Sequence, residues 1–325
     1  MASRAGSRFF RRILWLGVLV ILLVGAYSAA WFYLARELEN RAAAAMASVN
    51  GGGVRAFCEE PQARGFPFRI GLFCKSVFYE DVREGVSVRA GELRSTANVY
   101  QPFRILGELS GPASLMLPHT VPLQAQWESL RASTRLARPL PERMSVEGKA
   151  IVISAQGQEE APLATVEDLQ IHARRLEADL ETALSFAGLG IGDEVAPDLP
   201  PLEGRARVLV LDGVALIASR PESLRGQSAR IEEMVVGVVG EQAALTLSGP
   251  VAVDDNGLVD AELSVKVDDP AAVLQLMAQI FPDNREQIMG VSGIVGGLGN
   301  APLQIRIVKG QAFLGFIPLG AVPAL

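Results

Sequence analysis

FRIGLFCKSVFYE (residues 68–80), GVSVRAGELRSTANVY (85–100) and FRILGELSGPASLML (103–117) alternate apolar with small or polar residues, with Gly, Pro and Asn between the runs. A period of two over segments this short reads as consecutive half-buried strands. The pattern continues toward the C-terminus. VPLQAQWESLRASTRLA (121–137) has some helical character, but Leu123, Ala125, Trp127 and Ser129 alternate and Pro122 precedes them, so it reads as a strand. PERMSVEGKAIVISA (141–155), ATVEDLQIHARRLEA (164–178) and DLETALSFAGL (179–189) follow, and the charges at Glu167, Asp168, Arg174 and Arg175 read as the solvated face of a sheet.

GLGIGDEVAPDLPP (188–201) is rich in turn residues and is the best internal boundary. Beyond it lie GRARVLVLDGVALIA (204–218) and three further strands, ARIEEMVVGVV (229–239), QAALTLSGPVAV (242–253) and LVDAELSVKV (258–267). Asp254-Asp255-Asn256-Gly257 joins the last two as a hairpin, since Asn and Gly tolerate positive φ. A calcium loop is not supported there, because Leu258, Val259 and Ala261 hold the later ligand positions. Next comes a helix with Asp269 as cap, Pro270 in its first turn and a stripe of Val273, Leu274, Met277, Ile280 and Phe281. A second short helix is expected from Asp283 to Met289. GVSGIVGGLGN (290–300) lacks the preceding strand and the G-K-[ST] ending of a nucleotide loop and reads as a close-packed turn. PLQIRIVKG (302–310) and QAFLGFIPLG (311–320) close the chain as two strands. The expected class is mainly β (α+β): long, curved antiparallel sheets with one or two short helices near the C-terminus.

Working outward to the N-terminus, Ile13–Ala35 contains no charged residue, and Arg4, Arg8, Arg11 and Arg12 precede it. About 20 apolar residues at about 1.5 Å each cover the ~30 Å hydrocarbon core of a bilayer, so the run is long enough to span. Arginines stay on the cytoplasmic side, which places the N-terminus inside. Trp15 near one end, and Trp31 and Tyr33 near the other, are the aromatic residues expected at the two headgroup regions. A secretory signal cut after Ser28 and Ala30 is the competing reading, though its apolar core spans only about 7 to 15 residues. RELENRAAAAMAS (36–48) continues the helix as a stalk, and Gly51, Gly52 and Gly53 stop it. The resulting map is a basic tail (1–12), a span (13–35), a stalk and Gly linker (36–53), a first β-rich half (54–187), a linker loop (188–201) and a second β-rich half (202–325).

The whole chain carries a formal charge of −6, and residues 1–12 hold four arginines and no acid, which leaves −10 on the rest. An exported body this acidic is poorly suited to nucleic acid, because phosphate contacts depend on Lys and Arg. Cys58 and Cys74 are the only cysteines. On the exported side they are expected to form one disulfide, with two free thiols as the alternative. The enclosed CEEPQARGFPFRIGLFC leads into a strand. His119 and His172 are the only histidines, so no zinc set is available.

LSGP occurs at Leu109–Pro112 and again at Leu247–Pro250, one copy on each side of the 188–201 loop, which leaves open two related β-halves. Gly65-Phe66-Pro67-Phe68 leading to Cys74, Gly91-Glu92-Leu93, Val99-Tyr100-Gln101-Pro102 and the LSGP strand together resemble a family of membrane-anchored alphaproteobacterial proteins, domain of unknown function 2125. The similarity spans most of residues 55 to 320 and implies an inner-membrane anchor and a periplasmic body, with no activity or site residues to carry over. The succession of apolar-Gly-apolar strands is also similar in texture to AsmA-like periplasmic proteins linked to envelope lipid homeostasis.

No nucleophile with a base, no H-E-x-x-H, no G-x-S-x-G and no P-loop is present, and nothing selects a pair among 36 acids. The expected protein is therefore not an enzyme, has no cofactor or metal, and carries no catalytic residue. Two functions fit. The abundance of Val, Leu, Ala and Gly with few aromatics suits an apolar inner face that accepts a lipid or other hydrophobic ligand in envelope maintenance. The alternative is a periplasmic scaffold that binds other envelope proteins and no small molecule.

Overall fold

The computed structural model describes residues 5–193, 195–196, 199–219, 223–241, 243–280, 285–290 and 302–324. Helix α1 (Ala5–Val49) is continuous for 45 residues, because the apolar run passes without a breaker into good helix formers tied by the Glu37–Arg41 pair. It ends where Gly51, Gly52 and Gly53 all take positive φ. These glycines form a closed turn, with Gly51 and Val54 hydrogen-bonded to each other and Val82 N donating to Gly53 O at 3.0 Å.

The body is one 20-stranded antiparallel sheet. It begins with β1 (Val54–Cys58), β2 (Gln62–Arg64), β3 (Arg69–Cys74), β4 (Val77–Asp81), β5 (Val86–Ala90), β6 (Leu93–Asn98), β7 (Gln101–Leu109), β8 (Ala113–Met116), β9 (Leu123–Gln126), β10 (Ser129–Arg135) and β11 (Arg143–Ala155). The pairings show that β1/β2, β3/β4, β5/β6, β7/β8 and β9/β10 are five long strands, each bent once. β11 receives both limbs of the last one, β10 on Arg143–Lys149 and β9 on Val152–Ala155. The bends line up as a crease across the sheet. Hydrogen bonds cross it, from Lys75 N to Glu59 O, Gly91 N to Ser110 O and Glu128 N to Lys149 O, while Ala150 takes a φ of 48°. The run 121–137 accordingly holds two strands rather than one.

Small residues occupy the inside of the bend: Ala90, Ala113 and Ala125 are buried, and so are Cys58 and Cys74, which are joined in a disulfide with a Cα–Cα distance of 5.3 Å. Trp127 Nε1 donates to Leu109 O at 2.8 Å across the crease.

The sheet continues through β12 (Pro162–Leu176), β13 (Asp179–Ile191), β14 (Leu202–Val210), helix α2 (Gly213–Ser219), β15 (Ser228–Val238), β16 (Ala244–Val253), β17 (Val259–Asp268), helices α3 (Pro270–Ile280) and α4 (Arg285–Gly290), then β18 (Leu303–Val308), β19 (Gln311–Leu314) and β20 (Ile317–Ala321). Each strand pairs with the one before it along the chain, α3 and α4 lying between β17 and β18, so the body is a single meander.

Several sequence expectations need revision. The 188–201 segment does not separate one sheet from another: its first residues lie inside β13, and β13 pairs with β14 from Leu180–Val210 to Leu189–Leu202. The two LSGP copies are not equivalent. The first is the bend between β7 and β8, whereas Gly249 of the second lies within β16, with a φ of 143° and its missing Cβ pointing at Glu262 O. The run 204–218 ends in α2, because Asp212 turns the chain with positive φ and its carbonyl accepts from Ala215 and Leu216 N. The last run, 311–320, is a hairpin, split at Gly315-Phe316, rather than one strand.

Asp254 anchors the β16–β17 hairpin by accepting from Asn256 N and Leu258 N, both at 2.8 Å. The Leu258 amide is the main cause that holds its carboxyl below the ordinary aspartate range. Asp269 Oδ1 accepts from Ala272 N at the start of α3. Phe281, Asp283 and the glycines beyond Gly290 in the 290–300 cluster lie outside the described residues.

Two substitutions test this architecture. Removing the disulfide as Cys58→Ser with Cys74→Ser is expected to cost about 3 kcal/mol in the chain-entropy account of a loop this long, measured by equilibrium denaturation; an unchanged midpoint contradicts it. Gly249→Ala would place a Cβ 2.0 Å from Glu262 O and should destabilise by about 2 kcal/mol or more, whereas alanine at the open, exposed Gly157 should be milder.

Candidate functional site

Successive side chains of a strand point to opposite faces, so cross-strand partners define what each face carries. One row reads Gly107, Ala132, Val146, Ile171, Leu184, Ala206, Met234, Leu247, Val265 and Leu303, each directly opposite the next across ten strands from β7 to β18. One residue along, on the other face, the row reads Arg94, Glu108, Arg131, Glu147, Gln170, Ser185 and Arg205. One face is thus apolar without interruption, and the other carries alternating charge.

Two helices sit at opposite ends of the apolar face. α3 packs Val273, Leu276 and Met277 on Leu202, Val238 and Val267 in a buried apolar cluster. α2 begins against Leu180 and Val210, where Gly213 has no room for a side chain. The row is incompletely covered, with Ile171 39% and Leu184 38% exposed, as is Met144 on the same face at 45%. From β10 to β15 the row covers about 24 Å at the ~4.8 Å spacing of strands.

The charged face holds two adjoining clefts. One of about 610 Å³ runs from Arg64 and Phe73, whose groups stack at 4.9 Å, to Glu147. Its floor is ionic, with Arg131 and Glu108 at 3.7 Å. Farther along the same face Arg205 and Glu233 pair at 2.9 Å, and the hydrogen bond from Arg205 is the main cause holding the Glu233 carboxyl below its usual range. The second cleft, of about 600 Å³, is lined by Arg69, Arg104, Arg135 and Arg143 together with Thr96, Ser133 and one acid, Glu142.

Among the described residues, neither histidine is set with catalytic partners. His172 Nδ1 lies 2.9 Å from Ser145 Oγ, but no carboxylate is hydrogen-bonded to the imidazole to orient it as a base. His119 sits in a turn with a φ of 62°. Among the described residues no three His, Cys, Asp or Glu side chains are grouped to hold a metal ion.

The anchor residues separate into two groups. Arg11, Arg12, Trp15 and Tyr33 are exposed on α1. Trp31 does not belong to a free aromatic belt: it is only 5% exposed, because Phe66 packs edge-on at 5.4 Å and its Nε1 donates to Arg69 O at 2.9 Å. Tyr27 donates to Pro67 O, Glu39 accepts from Ala63 N at 2.7 Å, and Ala35 is buried. The body therefore docks along the C-terminal half of α1, with Ala35 buried and Glu39 reaching β2, while most of residues 40–49 are exposed. Phe10–Val49 is the only described helix long and apolar enough to cross a membrane.

Residues 31–323 match a family described as an uncharacterised protein conserved in bacteria. The chain belongs to the DUF2125 family. The family match begins at Trp31, the residue that ties α1 to the body, so the DUF2125 unit includes the docked half of the helix and leaves out the apolar run before it. No curated protein and no solved structure matches the chain.

The register explains what sequence reading missed. Alternation showed that each strand has an apolar side, but which residues of ten strands stand opposite one another depends on turn lengths and bulges. Trp31→Ala should open the helix–body interface: removing a buried Trp costs about 3 kcal/mol or more, and limited proteolysis should then cut first near Gly51–Gly53. Unchanged proteolysis would mean that Trp31 does not hold the interface.

Proposed function

We propose that this DUF2125 protein is a non-catalytic bacterial inner-membrane protein, anchored by α1 with its N-terminus in the cytoplasm and its body in the periplasm, that holds lipid or another long hydrophobic molecule on the apolar face of its sheet. The observation that carries the reading is the uninterrupted row from Gly107 to Leu303, in which Ile171 and Leu184 are more than a third exposed. Exposed apolar area of this extent on a soluble body calls for an apolar occupant. The reading agrees with the resemblance to alphaproteobacterial anchored proteins and to AsmA-like envelope proteins. The arginines before Ile13 favour the stated topology, and the Cys58–Cys74 pair suits an oxidising compartment. Retention of the helix, rather than signal cleavage after Ala30, is favoured by the packing of Tyr27 and Trp31 on the body.

A second reading has its own support. β20 is an edge strand, exposed along its whole length, and Phe316 beside it is fully exposed. A free apolar edge invites strand addition by another envelope protein, which fits a scaffold.

Purified full-length protein, extracted and examined by mass spectrometry, should carry phospholipid or fatty acid. Leu184→Glu with Met234→Glu places two charges in the middle of the row and should lower capture of a photoreactive fatty acid by about tenfold or more, with the far-UV circular dichroism retained. Equal labelling of both proteins sinks the lipid reading. Recovery of a partner crosslinked at β20, without lipid, would favour the scaffold.

A further inference from the structure

Where α1 meets the body fixes which end of the sheet is near its apolar half. Tyr27 and Trp31 contact Pro67 and Arg69, whereas Asn50 at the far end of the helix contacts Ala56. At about 1.5 Å per residue, Tyr27 and Trp31 stand about 21 and 27 Å from Ile13, near the outer boundary of a ~30 Å hydrocarbon core. The rim of the sheet that includes the 65–68, 99–100 and 136–142 turns is therefore the rim level with that boundary.

This rim has two properties. Its turns carry exposed aromatic residues: Phe68 is 60%, Tyr100 71% and Phe103 66% exposed. Backbone hydrogen bonds join them into one edge, from Val99 N to Phe68 O at 3.1 Å and from Leu136 N to Phe103 O at 2.8 Å. Immediately inside them Arg104, Arg135, Arg143 and Arg174 stand directly opposite one another on four adjacent strands. Like charges in register repel, and this body has acids in excess. Yet only Glu142 and Glu181 answer the row, pairing with Arg135 and Arg174. Arg104 and Arg143 have no ion-pair partner among the described residues and face the second cleft beside Arg69 and Thr96.

We propose that this rim docks on the surface of the membrane that α1 enters, with Arg104 and Arg143 binding phosphate oxygens of anionic phospholipid headgroups and Phe68, Tyr100 and Phe103 seated among those headgroups. Guanidinium forks match phosphate oxygens in pairs, and aromatic rings partition to the headgroup region. The proposal rests on α1 being a retained span, and it adds a second, lipid-dependent contact on the periplasmic leaflet. The docked rim would hold the body upright against the membrane rather than leave it swinging on the helix.

The test is hydrogen exchange on the full chain in nanodiscs of phosphatidylcholine, with and without phosphatidylglycerol. Amides of 99–103 and 136–142 should exchange more slowly when phosphatidylglycerol is present, and this protection should fall by about fivefold for each arginine removed in Arg104→Gln and Arg143→Gln. Phe103→Ser should weaken it as well, and the rest of the sheet should be unaffected in all variants. Protection of residues 13–27 in every nanodisc reports the span independently. If those residues are protected while the rim exchanges alike in both lipids, docking is refuted and the anchor stands. If residues 13–27 exchange freely, both fall. If inorganic phosphate protects the rim in phosphatidylcholine alone as well as phosphatidylglycerol does, the arginines serve a free anion and the membrane assignment is overturned.

Discussion

Everything in this molecule depends on the register that keeps Val146, Ile171, Leu184 and Ala206 opposite one another. A slip of one residue at any junction would bring Glu147, Gln170, Ser185 or Arg205 into the apolar row and turn the facing strand inside out. Short turns oppose such slips. Glu177-Ala178 between β12 and β13 leaves only two residues, with Glu177 in the left-handed region, and the Asp254 carboxylate fixes the β16–β17 turn through two backbone amides. Where the chain needs an extra residue it places it as a bulge, as at Glu232 of β15, and the two faces keep their identity beyond it.

A single open meander has two edges, and the chain treats them differently. α1 lies along the first: the free amide of Ala63 on β2, which has no strand on that side, is satisfied by the Glu39 carboxylate. The helix is thus both the candidate membrane segment and the cover of an edge, which explains why it remains helical well past the apolar run. The second edge, β20, has no such cover among the described residues, and Pro318 is the one feature in it that resists further pairing.

How much of this was legible in the sequence follows from the range of each interaction. The strands, the β16–β17 hairpin, the α3 cap at Asp269 and the pairing of the cysteines are local or nearly so, and alternation, Asn-Gly, Asp-Pro and the count of two cysteines reported them. Breaks within strands were not legible, because Lys75-Ser76, Gly91-Glu92 and Trp127-Glu128 interrupt alternation no more than ordinary polar residues do. They become a crease only when neighbouring strands break at the same level. Trp31 misled for a related reason: an interfacial aromatic and an aromatic that packs on Phe66 look the same in one dimension. The arginine row was hidden most completely, since Arg104, Arg135, Arg143 and Arg174 are widely spaced in sequence and meet only through three separate registers.

Helix contacts and strand register relate these features to one another. Between its contacts at Tyr27 and Asn50, α1 rises about 34 Å. Its contacts, Tyr27 with Pro67, Glu39 with Ala63 and Asn50 with Ala56, run in reverse chain order along the body. The first bent strand therefore runs beside the helix and antiparallel to it. The arginine row lies nearer the apolar half of the helix than the apolar row does. The apolar side chains of β14, from Val210 through Val208 and Ala206 to Leu202, then form a path directed away from the bilayer, flanked by α2 at its lower end and α3 at its upper end. An acyl chain on that path would end at the same rim, on the face of the sheet opposite the arginine row.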